Sequence, residues 1–226
     1  MVSYLKIHPS TVGRESSAGG ITEKVPDSSA APTPPPATTR RRGAELNQAI
    51  YRAALEELAA SSFEELSFEK IAPKAGTGKS VLYRRWGTTA ELVLDALKDY
   101  DAGLGRPLVP DTGTLRGDLL VLLTTFARVL DEPRGRALRP LLTQRPRLPE
   151  LFTHVMSEVI LPHQAVLLDC MHRAVDRGEA APERATARTA AIGPRLIVAE
   201  SLDRGTVPDA EVEAIVDDVL LPLLRP

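Results

Sequence analysis

The chain has 226 residues, a formal net charge of −2, one cysteine and 43% hydrophobic residues. That is enough to bury a real core, in one large domain or in a small one plus a larger one, and it excludes a mini-protein held by staples. A single thiol, Cys170, excludes an intrachain disulfide framework.

The start, MVSYLKIHPSTVGRES, lacks the apolar stretch and small-residue cleavage site of a secretory signal. The most apolar run, Leu119 to Leu130, contains Thr124, Thr125 and Arg128 and is too short to span a bilayer. A soluble cytoplasmic protein without a membrane partner is expected. Lys plus Arg against Asp plus Glu stand at 3 to 3 over residues 1–39, 10 to 9 over 40–100 and 15 to 18 over 101–226. No segment is basic overall, so a nucleic-acid surface must be a local patch, with Arg40, Arg41 and Arg42 at one edge and Lys79, Arg84 and Arg85 at the other.

Residues 1–39 are rich in Ser, Thr, Ala and Pro and end in SSAAPTPPPATT. So little apolar surface cannot offset the entropy of ordering, and a disordered tail is expected. From Ala44, the residues Leu46, Ile50, Ala53, Ala54 and Leu58 recur at helical spacing and mark an amphipathic helix to about Ala60. Ser67 is placed to cap a second helix, SFEKIAPKA, and Gly76 to end it in a left-handed conformation. A third helix is expected from Lys79 to Arg85. A fourth begins near Thr88 or Thr89, with Val93, Ala96, Leu97 and Tyr100 on its inner stripe.

Beyond the break GLGRPLVPDTG the pattern stays helical. Leu115, Leu119, Leu122, Phe126 and Val129 form one stripe, and Ala137, Leu138, Leu141 and Leu142 a shorter one. Pro149 to Arg177 is a long stretch that Pro162 should kink or divide. ERATARTAAIGPRLIVAESL and PDAEVEAIVDDVLLPLL supply the last helices. No run alternates with period two between turn signals, so the fold class is all-α.

KAGTGKSVLYRRW, residues 74–86, admits two readings. Gly78, Lys79 and Ser80 match the end of a phosphate loop, but the position of its first glycine is Pro73, and Glu69 and Lys70 stand where a buried strand should feed it. The helix-turn-helix reading fits better. Ile71, Ala72 and Ala75 give the second helix an inner face, Gly76 the turn, and Leu82 with Trp86 anchor the third helix, leaving its other side chains outward.

FEELSFEKIAPKAGTGKSVLYRRW followed by TTAELVLDAL resembles the DNA-binding region of the tetracycline-repressor (TetR) family of bacterial regulators, over about residues 44–100. The resemblance implies an N-terminal three-helix helix-turn-helix domain, over residues 40–102 here. It also implies a C-terminal helical domain, 103–226, that binds a small effector and dimerises through its last helices. Ser62 and Gly78 depart from the family's usual glycine and polar cap, and Thr89 stands where a phosphate-touching lysine is common. Thr77 is an alternative cap for the third helix.

Lys79 and Ser80, at the start of the recognition helix, are placed for base edges, and Val81 for a thymine methyl. The resemblance gives Tyr83 a phosphate contact. Ser67, Thr77, Arg84, Arg85 and Thr89 complete the backbone-contacting set. Arg41 and Arg42, with Arg40, form either a minor-groove arm or a solvated basic turn.

Phe126, Phe152, Met156, Leu167 and Met171 are candidates for both core and effector lining, and His172, His154 or Gln164 for its hydrogen bonds. His154, His163 and His172 do not share a helix face, so neither a metal site nor another cofactor is expected. Val212, Ile215, Val216, Val219 and Leu223 form a stripe that the resemblance assigns to a homodimer interface. No catalytic arrangement stands out. The expected function is a dimeric repressor released from a pseudo-palindromic double-stranded DNA operator by an apolar effector. The alternatives are a nucleotide-dependent enzyme using GTGKS and a constitutive DNA-binding protein.

Overall fold

In the computed structural model, which describes residues 37–105, 107–143 and 146–226, the first helix, α1, runs Ala37–Ala60. It buries Ile50, Ala53, Ala54 and Leu58 on one face, as their spacing requires. It begins before the apolar stripe does. Arg40, Arg41 and Arg42 therefore have helical backbone and are not an extended arm; their side chains lie outside the described residues, as do residues 1–36 of the expected tail.

α2 (Phe68–Lys74) starts at Ser67, whose extended backbone makes it the N-cap although its hydroxyl accepts no capping bond. The helix ends in a paired closure: Thr77 N–H donates to Ala72 O at 3.0 Å and Gly76 N–H to Pro73 O at 3.1 Å. Gly76 makes this possible at φ +66°, where a side chain would be strained. α3 (Lys79–Arg85) follows at once, capped by Gly78 through backbone alone, so Thr77 is not its cap. Leu82 is fully buried and Trp86 nearly so, and the indole N–H donates to Asp95 Oδ2 at 2.9 Å. α4 (Thr89–Lys98) begins with Thr88 Oγ1 accepting from Glu91 N–H at 3.2 Å. It buries Leu92, Val93, Ala96 and Leu97. Because it stops at Lys98, Tyr100 falls off the inner stripe and is 72% exposed.

The remainder comprises α5 (Leu115–Asp131), α6 (Pro133–Arg136), α7 (Leu138–Thr143), α8 (Pro149–Val155), α9 (Leu161–Asp176), α10 (Ala187–Ala190), α11 (Ile192–Arg204), α12 (Asp209–Ala214) and α13 (Leu221–Leu224). Among the described residues there is no strand. Wider π-helical turns, Met156–Ile160 and Ile215–Leu220, join α8 to α9 and α12 to α13 into two continuous rods. Each π segment ends two residues before a proline, Pro162 or Pro222. Proline lacks the N–H that would bond four residues back, and its ring crowds that carbonyl. Widening the preceding turn relieves the conflict without breaking the rod.

The second of these turns rearranges the final stripe. In an α-helix, residue i+7 returns close to the face of residue i, but a wider turn lags behind. Val212, Ile215 and Val216 are accordingly buried inside the protomer, Leu220 and Leu224 take the next inward positions, and Val219 is 40% exposed. The stripe read from the sequence is thus mostly a face of the chain's own core. Val212, Ile215 and Val216 cannot form a surface between protomers.

Two apolar clusters organise Ala37–Pro226, which is one compact unit. The first joins α1–α4 to Ala137, Leu138 and Leu141 and to Leu151, Val155 and Val159. The second gathers α5, α9, α11 and the last rod. The rod Pro149–Asp176 is 28 residues long and, by length and hydropathy alone, apolar enough to cross a bilayer, which the shorter run Leu119–Leu130 is not. Its apolar character has another use here: Val155 and Val159 enter the first cluster and Leu167 and Met171 the second.

Candidate nucleic-acid interface and effector cavity

α2 and α3 are held against α1 by charge as well as packing. Glu57 on α1 is 7% exposed and takes a hydrogen bond from Lys74 with Lys70 nearby, which holds its carboxyl below its ordinary range against the opposing effect of burial. With the helix pair fixed, α3 presents Lys79, Ser80, Tyr83, Arg84 and Arg85 to solvent. Val81 is half-buried against the first cluster, and Thr77 and Thr89 are half-exposed at the two ends of this face. Ser67 is half-exposed at the start of α2.

The outward groups are already oriented. The Tyr83 ring meets Phe68 edge-on at 4.8 Å between centroids, and its hydroxyl donates to Glu69 Oε1 at 3.3 Å. Lys79 Nζ lies 3.7 Å from the same carboxylate oxygen. Arg85 donates to Asn47 Oδ1 on α1, with its guanidinium 5.6 Å from the Trp86 ring centre. Glu69 and Asn47 escape a sequence reading that looks only for cations. The signal available was position: Glu69 is exposed on α2, on the side opposite Ile71.

A cavity of about 330 Å³ opens between α5, α9 and the segment after α4. Leu104, Leu108, Leu122, Phe126, Ile160 and Leu167 are apolar residues of its wall. Of the candidate lining residues, Phe126 and Leu167 are here, whereas Phe152 and Met156 line a separate surface groove. Met171 is 1% exposed within the second cluster. His172 is on the surface, its Nε2 3.3 Å from Ala185 O. His154 faces Glu158, and the histidine in the cavity is His163, beside Gln164. The π segment at Met156–Ile160 turns the rod so that Ile160 and His163 face the cavity.

The chain connecting α4 to this cavity is tightly fitted. Leu104 N–H donates to Leu97 O at 2.9 Å, and Arg134 Nη1 to Gly103 O at 3.0 Å. A β-carbon on Gly103 would stand 2.1 Å from Ala96 O, so only glycine permits this return against the end of α4. Lys98 on α4 also pairs with Glu158 in the π segment, and Arg147 with Glu64.

A short tri-helical unit whose third helix follows a tight turn and bears exposed cations, packed on a helical domain with an apolar cavity, defines a helix-turn-helix DNA-binding regulator. Residues 50–96 match the family of bacterial regulatory proteins designated tetR, and residues 109–219 match the tetracyclin repressor-like C-terminal domain. The chain is 31% identical over 192 residues to the DNA-binding transcriptional repressor TetR of Mycobacteroides abscessus, covering 82% of this chain and 97% of that protein. Among solved structures, the TetR family transcription regulator SCO0332 aligns with a TM-score of 0.58 at 26% identity, over 80% of this chain and 100% of that one. A putative TetR-family regulator from Mesorhizobium loti shares the fold with the same TM-score, 0.58, at 16% identity, over 80% and 96% of the two chains. The protein belongs to the TetR family of helix-turn-helix transcriptional regulators, which are not enzymes.

Proposed function

We propose that the protein is a homodimeric, cytoplasmic repressor, with no membrane partner, that reads a pseudo-palindromic operator and releases it when a small apolar effector fills the cavity beside α4. The observation that carries this reading is the cavity's shared wall: Leu104, one of its lining residues, is hydrogen-bonded to the last turn of α4. A ligand that favours one position of this junction also favours one spacing of the two reading heads. By linkage, an effector that prefers the wrong spacing weakens operator binding by the same factor. The volume of about 330 Å³ lies near the lower end of ligand pockets, roughly 300–1,000 Å³, and points to a compact molecule.

In this reading Lys79 and Ser80 meet base edges and Val81 a thymine methyl. Tyr83, Arg84, Arg85, Ser67, Thr77 and Thr89 hold the phosphate backbone, with Arg41 and Arg42 contributing from the first turns of α1. The dimer forms through the outward side of α11 and the last rod, where Leu202 is 59% and Val219 40% exposed and Leu223 half-exposed. Half-sites should then lie about one helical turn, roughly 34–36 Å, or a multiple apart.

The test is to select operator fragments with the purified protein and measure affinity by fluorescence anisotropy, with and without lipophilic compounds that raise its melting temperature. Tyr83→Phe should weaken all sequences alike, and Lys79→Ala should also relax base preference. Compounds that stabilise the protein without releasing DNA would make it a constitutive binder with an unrelated pocket.

A further inference from the structure

Resting on the effector reading above, we propose that the cavity selects a neutral hydroxylated hydrophobe, with His163 and Gln164 reading a single hydroxyl as donor and acceptor. The wall has few polar side chains, and most of them are committed or peripheral. Tyr100 and Thr125 are exposed at the rim. Arg134 forms an ion pair with Glu132, 2.7 Å from its Nε, which makes no hydrogen bond, and its Nη1 donates to Gly103 O. His163 and Gln164 remain, adjacent on α9 and both half-buried.

The state of His163 follows from its one hydrogen bond. Nδ1 lies 2.8 Å from Val159 O, and a carbonyl oxygen only accepts, so Nδ1 carries the hydrogen. In the neutral ring Nε2 is then a bare acceptor. The Gln164 amide has no hydrogen-bond partner among the described residues and offers N–H donors beside it. A hydroxyl satisfies both: its O–H donates to His163 Nε2 while its oxygen accepts from Gln164. A hydrocarbon leaves both unpaired, and a carboxylate brings a second lone pair against Nε2 while the nearby guanidinium is already neutralised.

The experiment compares naphthalene, naphthol and naphthoate by calorimetry against the purified full chain. Naphthol should bind roughly tenfold more tightly than naphthalene, the discrimination expected of one or two net hydrogen bonds, and naphthoate most weakly. His163→Phe and Gln164→Leu should erase the preference, so that naphthol and naphthalene bind each variant alike, and Phe126→Trp should narrow the cavity and weaken both ligands. Equal wild-type binding of naphthalene and naphthol, both weakened in Phe126→Trp, would overturn the hydroxyl reading and leave the cavity standing. Tightest binding of naphthoate would overturn it in favour of Arg134. Failure of all three probes would overturn the effector reading together with this one.

Discussion

The last rod makes opposite demands on neighbouring residues, and substitution separates them. Val216 is fully buried in the second cluster, whereas Leu202 on α11 and Val219 on the rod are 59% and 40% exposed. Val216→Ala removes two buried carbons at about 0.8 kcal/mol each and leaves a cavity, for a loss of about 2–3 kcal/mol. In a domain of this size that lowers the melting temperature by roughly 4–12 °C. It should not create a folded monomer, since the side chain does not reach the surface. Leu202→Glu or Val219→Glu should alter protomer packing little, but symmetry buries the new carboxylate twice in the proposed dimer. At about 1–3 kcal/mol for each unsatisfied group, the dissociation constant rises roughly 30-fold to more than 10,000-fold. Sedimentation equilibrium read beside thermal melts gives both quantities. Dissociation by Val216→Ala with an unchanged melt, or intact dimers in both glutamate variants, would refute the assignment of faces.

Three other outcomes follow from the junctions described above. Glu69→Gln should free Tyr83 for phosphate and Lys79 for its base edge and remove a negative charge from the DNA-facing side, tightening operator binding; anisotropy titrations that give unchanged affinity would count against it. Gly103→Ala should destabilise by about 1–3 kcal/mol, because its β-carbon overlaps Ala96 O. Gly43→Ala, with open space on α1, should be neutral or stabilising in the same melts. Glu57, held below its ordinary range chiefly by Lys74, binds fewer protons folded than unfolded. Its contribution is therefore complete above the unfolded value and lost as pH falls through the folded one. Glu57→Gln should lower the melting temperature at neutral pH and flatten its fall toward about pH 4; parallel curves for the two proteins would contradict the pairing.

Helices whose stripe meets a single partner were legible from spacing. α2, α3 and their turn follow from Ile71, Ala72, Gly76, Leu82 and Trp86, because each position has one steric answer. α5 was only half legible. Leu115 and Leu119 face the second cluster, but Leu122, Phe126 and Val129 turn toward the cavity, and hydrophobicity alone does not distinguish a packed face from a lined one. The dimer stripe misled for a different reason: a 3.6-residue period assumes a continuous α-helix, and Pro222 imposes a wider turn before Val219 completes the repeat. A proline inside an apolar stripe is thus a signal to expect rotation as well as a kink.

The same reasoning explains which histidine reaches the cavity. On an uninterrupted helix His154 and His172 share one face and His163 lies opposite, and the sequence offers no reason to prefer the middle one. The π segment before Pro162 supplies that reason, since Val159, whose side chain enters the first cluster, also lends its carbonyl to His163 Nδ1. One residue thereby belongs to the core shared with the DNA-binding helices and to the polar corner of the cavity. Lys98, pairing with Glu158 one position earlier, ties the same turn to α4. In the proposed mechanism a ligand that pulls His163 would act on a turn that two contacts fasten to the DNA-binding helices, and the proline that disrupts the helical period is what brings that turn to the cavity wall.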